Sequence, residues 1–249
     1  MSKVFRSFAA AVFAFSLLAI FSAPPATAQT SSTAVTALTK QLSHVQLAIT
    51  GAPFITPAVT GTNYLGTTIT QKPSSTTGVV ANLRYTHSPY IGFEFNFGYA
   101  RYTENYTCLA SSTYCKESVP LGPCSGNVSA STVCPAYVFG GAQVSPREYT
   151  VGYVVHPPKV LGFDTFAAAG VGTTAFVPTR YGGQNLPEQA RATYYYNVGL
   201  EKSLFSPHFG LRAQVRQTFY KAPDLLENYL TINQHSTTFQ PGFGFYLKF

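Results

Sequence analysis

Residues 91–100 read Ile-Gly-Phe-Glu-Phe-Asn-Phe-Gly-Tyr-Ala. Large apolar side chains occupy every second position from Ile91 to Tyr99, and the positions between them are small or polar. Because successive side chains of a β-strand point to opposite faces, this stretch predicts a strand with one strongly apolar face. The opposite face carries Glu94 and Asn96.

The same alternation recurs in seven further segments, which are residues 45–50, 79–85, 149–155, 167–175, 194–201, 209–219 and 239–249. The limits of the first segment stay open, since Gly51 to Pro57 can either continue the strand or begin a loop. Eight strands are the smallest usual number for an outer-membrane barrel. We therefore predict an all-β fold, an eight-stranded antiparallel up-and-down transmembrane β-barrel.

The connectors between these segments alternate in length. Short connectors fall at residues 87–89, 156–161 and 205–208, and long ones at about 60–76, 104–146, 178–190 and 221–236. Outer-membrane barrels have short periplasmic turns and longer outer loops. The pattern therefore predicts that both termini lie in the periplasm, whereas a soluble β-sandwich has no reason to keep this order.

The first 28 residues have the features of a signal peptide. Lys3 and Arg6 precede an apolar run over residues 8–21, and Ala26-Thr27-Ala28 follows as a small-x-small cleavage site. The run is too short to span a bilayer comfortably. We expect residues 29–249 to form the mature barrel.

The composition agrees with export to a membrane. Only 10% of the residues are charged and 15% are aromatic. Beyond the signal there is no apolar stretch long enough for a transmembrane helix, so a closed barrel is the remaining solution. The formal net charge of +7 includes Lys3 and Arg6, and no Lys/Arg cluster occurs. We expect anionic outer-membrane lipid as a partner, and no nucleic acid.

The last residues, Gly244 to Phe249, resemble the C-terminal recognition signal of outer-membrane barrels, with Phe245, Leu247 and Phe249 alternating. Gly242 stands where that signal usually has a polar residue. The resemblance implies the barrel insertion machinery as a partner.

The mature chain as a whole resembles the eight-stranded outer membrane protein A-type barrel family, which includes opacity-type adhesins. Residues 210–224 resemble a penultimate strand and its exit in such proteins. The resemblance implies the cell outer membrane as location and a structural or surface-interacting role. An extracellular ligand or host surface would be contacted through the outer loops. The chain stops at the last barrel strand, so we expect no peptidoglycan-binding domain.

Four cysteines, Cys108, Cys115, Cys124 and Cys134, fall in the long outer loop at about residues 104–146, outside any predicted strand. In an exported protein an even, clustered set indicates two disulfides, with three possible pairings. A zinc site is the rival interpretation, but no Cys-x-x-Cys occurs. The crosslinks would either order a binding surface or only resist proteolysis.

Seven charged residues occupy the alternate strand positions that face the barrel interior. They predict an ion network in the lumen, formed by Arg84, Glu94, Asp164, Glu201, Arg212, Arg216 and Lys248. A turn with Ser206 and Pro207 at its centre would set Glu201 opposite Arg212. Eight-stranded barrels have interiors that side chains can fill. We therefore expect a largely filled interior rather than a pore.

Three other functions are alternatives to a non-enzymatic barrel. A narrow channel is the main alternative. A lipid-modifying enzyme would need a catalytic His, Ser and acid near the outer surface, where only His235, Ser236 and Glu227 lie. A lipocalin-like carrier would place its apolar face inside. We predict no catalytic residue, cofactor or metal.

Overall fold

The computed structural model describes residues 40–63, 66, 68–108, 137–227 and 230–249. The chain divides into two compact units, Met1–Ser43 and His44–Phe249. Of the first unit only residues 40–43 are described, so the predicted signal peptide, residues 1–28, lies outside the described part. No helix in the described residues is both long enough and apolar enough to span a membrane.

The second unit consists of strands. They are β1 (Val45–Phe54), β2 (Val59–Thr62), β3 (Thr68–Pro73), β4 (Thr76–Thr86), β5 (Ile91–Tyr99), β6 (Tyr102–Cys108), β7 (Tyr137–Val155), β8 (Asp164–Pro178), β9 (Gln189–Ser206), β10 (Phe209–Lys221) and β11 (His235–Lys248).

Eight of these strands close a barrel in the order β1, β4, β5, β7, β8, β9, β10 and β11. Each pairs antiparallel with the next, and β11 returns to β1 through pairs such as Leu47 with Leu247. The prediction of a closed eight-stranded antiparallel barrel is therefore confirmed. β1 continues past Gly51 as far as Phe54, which settles the limit that the sequence left open.

Three short strands were not predicted. β2 pairs with β3, β3 with β6, and β6 with the first part of β7. We call β2, β3, β6 and residues 137–144 of β7 the outer extension, since it continues the barrel wall beyond β4 and β5. The loops predicted at about 60–76 and 104–146 are thus partly strand. Cys108, placed outside any strand by the sequence, ends β6 opposite Ile69.

The outward face of the barrel forms an apolar belt. Its exposed side chains are Ile49, Val79, Leu83, Phe93, Tyr99, Tyr149, Val151, Tyr153, Val171, Tyr194, Tyr196, Val198, Leu200, Val215, Phe239, Phe243, Phe245 and Leu247. Every barrel strand contributes. Exposed apolar side chains over a whole barrel are stable only where lipid covers them. The belt therefore marks the membrane-spanning part.

Beyond the belt the outward face becomes polar. On the outer extension it carries exposed or half-buried Thr60, Thr70, Lys72, Thr103 and Asn105. The short connectors, at residues 87–90, 156–163 and 207–208, lie at the opposite end of the barrel. By the usual asymmetry of such barrels that end is periplasmic and the outer extension lies outside the bilayer.

Candidate functional site: the lumen and its outer closure

The periplasmic half of the lumen contains four buried charged residues. Arg84 Nη2 lies 3.1 Å from Glu94 Oε2, and Arg84 Nη1 lies 3.0 Å from Glu201 Oε1. Arg212 Nε lies 3.6 Å from the same Glu201 oxygen. None of the four side chains is more than 2% exposed. Two arginines and two glutamates thus form one ion-paired layer across the barrel.

Neutral side chains donate further hydrogen bonds to both carboxylates of this layer. Gln46 Nε2 donates to Glu201 Oε2 at 3.0 Å, and the Tyr195 hydroxyl donates to Glu94 Oε1 at 3.0 Å. A buried carboxylate needs such donors, because removal from water is costly. Sequence parity places these residues inward, but only the closed barrel shows which carboxylate each one contacts.

Phe166 lies at the centre of the ionic layer. The guanidinium carbons of Arg84 and Arg212 lie 4.3 Å and 4.2 Å from its ring centroid, a distance typical of cation–π contacts. The ring fits because Gly199 has no side chain, since a Cβ there would lie 2.5 Å from Phe166 Cζ. Phe166 was not predicted as a lumen residue, although the even-numbered residues of its strand face inward.

A second ionic layer lies nearer the outer side. Arg216 Nη1 donates to Glu148 Oε2 at 2.9 Å and to Gln240 Oε1 at 3.0 Å, and Arg216 Nη2 also contacts Glu148. The Arg216 guanidinium stacks on Tyr195 at 4.5 Å. Glu148 was not among the predicted lumen charges, because it follows directly on the predicted loop. The two layers together hold three arginines and three glutamates, so their charges balance.

Asp164 and Lys248 do not join these layers. The sequence predicts both in the lumen network, but Asp164 is 3.1 Å from Lys159, whose side chain is 71% exposed. Lys248 is half-buried, with its amine 5.2 Å from the Tyr246 ring. Parity fixes the face of a strand residue and not its depth, and both residues lie at strand ends on the periplasmic rim. At the same rim, burial and the charge of Arg84 lower the pKa of His156 to about 4.

An apolar cluster closes the lumen above the second ionic layer. It consists of the buried residues Phe54, Val80, Ala100, Tyr102, Ala142, Val144, Phe176, Tyr220 and Leu225. Between this cluster and the Arg216–Glu148 pair lies a cavity of about 20 Å³. A cavity of that volume holds roughly one water molecule.

The connector between β10 and β11 packs over this closure. Ala222, Leu230 and Ile232 are buried against Ile69 and Tyr106 of the outer extension. These contacts form a second apolar cluster outside the bilayer. The connector therefore covers the outer mouth of the barrel and is not a free loop.

Asp224 anchors this connector to β9. Its carboxylate lies 2.9 Å from Arg191 Nη2 and accepts a hydrogen bond from Thr231 at 3.0 Å. Burial alone would raise its pKa, but the hydrogen bond from Gln189 and the Arg191 charge hold the pKa of Asp224 below its usual value. No pattern in the sequence indicates this pair.

Glu104 is a buried acid between the two apolar clusters. It is fully buried, and Gln71 Nε2 donates to its Oε2 atom at 3.0 Å. Within the described residues it has no ion-pair partner. Burial raises the pKa of Glu104 to about 7, against the lowering effect of hydrogen bonds from Gln71 and Tyr102. Burial also raises the pKa of the Tyr102 hydroxyl well above its usual value.

The remaining predicted residues lie at the edges of the described chain. Cys115, Cys124, Cys134 and the side chain of Cys108 fall outside the described residues, so the two disulfides stay a prediction. Phe245, Leu247 and Phe249 are exposed on the lipid side near the periplasmic end. Their recognition by insertion machinery also stays a prediction.

Solved structures with the same architecture share little sequence with this chain. The outer membrane protein OprG from Pseudomonas aeruginosa aligns at a TM-score of 0.51 with 12% identity, over 82% of this chain and 95% of that one. The chain has the fold of an outer-membrane β-barrel. Neisserial surface protein A aligns at a TM-score of 0.45 with 10% identity, over 82% of this chain and 96% of that one. The outer membrane protein AlkL aligns at a TM-score of 0.43 with 15% identity, over 81% of this chain and 90% of that one.

No family model matches the chain, and no curated protein matches it. The barrel closure and the apolar belt, together with this likeness in fold, locate the chain in the outer membrane of a Gram-negative cell. No group of three or more His, Cys, Asp or Glu that could hold a metal occurs within the described residues.

Proposed function

We propose that this chain is a non-enzymatic, non-conducting outer-membrane barrel that presents the outer extension for contact at the cell surface. The observation that carries the proposal is the burial of the ion pairs that cross the lumen, since none of their side chains is more than 6% exposed. An aqueous channel needs a continuous water-filled path, whereas buried side chains from separate strands meet across the lumen at two levels, and the cavity above them holds roughly one water.

The ionic layers strengthen the argument against a pore. The Arg84–Glu201 and Arg216–Glu148 pairs both run across the lumen, from β4 to β9 and from β7 to β10. Opening a path would separate buried, hydrogen-bonded charges. Leaving one partner of such a pair unpaired typically costs about 3–5 kcal/mol.

The outer extension supports the surface-contact part of the proposal. It has an apolar cluster of its own with the β10–β11 connector, and Gly61 lies so close to this connector that a Cβ would be 2.4 Å from the Ile232 carbonyl oxygen. Its outward face carries Thr60 and Thr70, whose hydroxyls are 2.8 Å apart. A packed sheet above the bilayer keeps a constant surface, which recognition requires.

Solute flux tests the closed lumen. The purified chain is reconstituted into liposomes, and swelling in glycine is followed by light scattering. We expect the wild type to match protein-free liposomes. The variant Phe176→Ala with Tyr220→Ala, which removes two rings above the cavity, is the positive control and should admit glycine. Wild-type swelling at the rate of that variant would replace the proposal with a narrow channel.

Adhesion tests the surface contact. Cells that display the wild type are compared with cells that display Thr60→Lys with Thr70→Lys, which changes the outward face of the extension. The matched control is Ser88→Lys with His208→Lys, which adds two lysines at the periplasmic turns. We expect only the Thr60/Thr70 variant to lose binding to epithelial monolayers. Equal binding by all three, and by cells without the barrel, would leave a structural role only.

A further inference from the structure

Four basic side chains lie on the outward face, beyond the apolar belt, on one side of the barrel. They are Lys72 on β3, Arg101 between β5 and β6, Arg147 on β7 and Arg180 after β8, and all four are exposed. We call this set the basic patch. Because β3, β6, β7 and β8 are successive neighbours in the sheet, the four residues share one side of the molecule.

The register gives the depth of the patch. Arg147 pairs directly with Tyr99, an exposed ring at the outer edge of the belt. Arg101 follows two residues after Tyr99 in the chain. Arg147 and Arg101 therefore lie near the level of the interfacial aromatic rings. Lys72 lies farther out, because it pairs with Asn105, and Asn105 pairs with Gly141, six residues before Arg147. At about 3.3 Å per residue this is roughly 20 Å along the strand.

Gln143 holds two parts of the patch together. Arg101 Nη2 donates to Gln143 Oε1 at 2.6 Å, and the Thr179 hydroxyl donates to the same oxygen at 3.0 Å. The Thr179 amide also donates to the Gln143 carbonyl at 2.8 Å. Arg180 is the next residue along the chain, so it is held on the same side as Arg101.

The acids of these strands face the other way. Glu104 and Glu148 are buried in the interior, and Glu148 is paired with Arg216. No member of the basic patch has an ion-pair partner within the described residues. The described acid in the connector that holds Arg180 is Glu188, at its far end beside β9. The outward surface therefore carries an uncompensated positive charge at headgroup level.

We propose that the basic patch binds the phosphate groups of a phosphorylated glycolipid in the outer leaflet. Guanidinium groups bind phosphate through two parallel hydrogen bonds, and three of the four residues are arginines. Arg147 and Arg101 point outward near the level of Tyr99, where lipid headgroups lie, and Arg180 and Lys72 lie farther out on the same side. A soluble polyanion would have to enter the headgroup layer to reach Arg147. The proposal holds whether or not the barrel conducts.

Lipid retention tests this proposal. The purified chain is placed in phosphatidylcholine nanodiscs that contain a minor fraction of diphosphorylated lipid A, and bound lipid is measured by native mass spectrometry. We expect Arg101→Gln with Arg147→Gln to retain this lipid about thirtyfold less than the wild type, since each basic residue near an anionic surface contributes roughly fivefold. Dephosphorylated lipid A should bind wild type and variant equally weakly.

A control at the opposite rim separates the patch from net charge. Lys159→Gln with Lys202→Gln removes the same charge at the periplasmic end and should leave retention unchanged. A second pair, Lys72→Gln with Arg147→Gln, spares the Arg101–Gln143 hydrogen bond and should lose retention by about fivefold or more, most of it through Arg147. Equal retention by the wild type and both patch variants would overturn the proposal. So would patch-dependent binding of dextran sulfate without patch-dependent retention of lipid A, which would indicate a soluble polyanion.

Discussion

The Nη1 atom of Arg84 lies 3.0 Å from the Oε1 atom of Glu201, and this contact joins opposite walls of the barrel. Arg84 is on β4 and Glu201 on β9, and three barrel strands separate them in either direction. A pair between neighbouring strands would only line the wall. A pair across the diameter fills the lumen.

A double-mutant cycle measures this contact. Arg84→Met leaves Glu94 and Glu201 without their nearest cation, and we expect it to lower the free energy of unfolding by about 3–5 kcal/mol if the layer is dry. Glu201→Gln should cost less, and the double variant should recover part of the loss. Urea unfolding in lipid vesicles gives the three values. A coupling energy of zero would show that water screens the pair.

The lipid-facing belt makes a second prediction. Phe95 lies in the middle of β5 on the outward face, paired with Leu83 and Val151. Phe95→Arg should cost about 2–4 kcal/mol in folding into vesicles, because it places a cation in the bilayer core. The matched control is Thr103→Arg on the outward face of the outer extension, which should cost little. Equal folding of both variants would contradict the assigned membrane boundary.

The eight barrel strands were predictable because lipid imposes an apolar residue at every second position. The pairing of Arg212 with Glu201 was predicted, but the turn assigned to it was wrong: Phe209 pairs with Ser206, so Pro207 and His208 form the turn, and a register shift between Phe209 and Gly210 restores the Arg212–Glu201 pair. The outer extension was not predictable, because outside the bilayer neither face of β6 has to be apolar. Its inward residues include Glu104 and its outward residues Thr103 and Asn105, so no alternation is visible.

The lumen contacts were predictable only in part. The alternation of side chains along each strand predicted that Arg84, Glu94 and Arg216 face inward. Their partners across the barrel depend on how the barrel closes, which the alternation does not show. Phe166 was missed because an aromatic residue on the polar face has no signal of its own. Its place depends on Gly199, which lies on another strand.

Glu104 should make the stability of the folded chain depend on pH. Its pKa rises from the ordinary 4.5 to about 7 on folding, so the folded state favours the protonated acid. Its stabilising contribution is complete below about pH 4.5 and is lost as the pH rises through about 7. At about 1.4 kcal/mol per pKa unit, the loss is at most about 3 kcal/mol.

The test compares the pH dependence of hydrogen exchange in the wild type with that in Glu104→Gln. We expect hydrogen exchange in β3 and β6 to accelerate between pH 5 and pH 8 in the wild type, after correction for the intrinsic rate, and not in the variant. Glu188→Gln, at an exposed carboxyl, should behave as the wild type does. The same pH response in Glu104→Gln as in the wild type would assign the effect to another group.

The cysteines make a prediction that mass spectrometry can check. Non-reduced protein should contain two disulfides among Cys108, Cys115, Cys124 and Cys134. Since Cys108 ends β6, one of them would attach the following segment to the outer extension. Reduction should leave the barrel folded, because no crosslink joins its transmembrane parts. Four free thiols or bound zinc would contradict this interpretation.

Conductance in planar bilayers tests the filled lumen most directly. The wild-type barrel, inserted at a known density, should give no resolved single-channel steps in potassium chloride. Phe176→Ala with Tyr220→Ala, which removes rings above the cavity of about 20 Å³, should give small steps under the same conditions. Steps from the wild type that change size in Arg84→Met or Arg216→Met would contradict the account, since they would show that ions pass the charged layers.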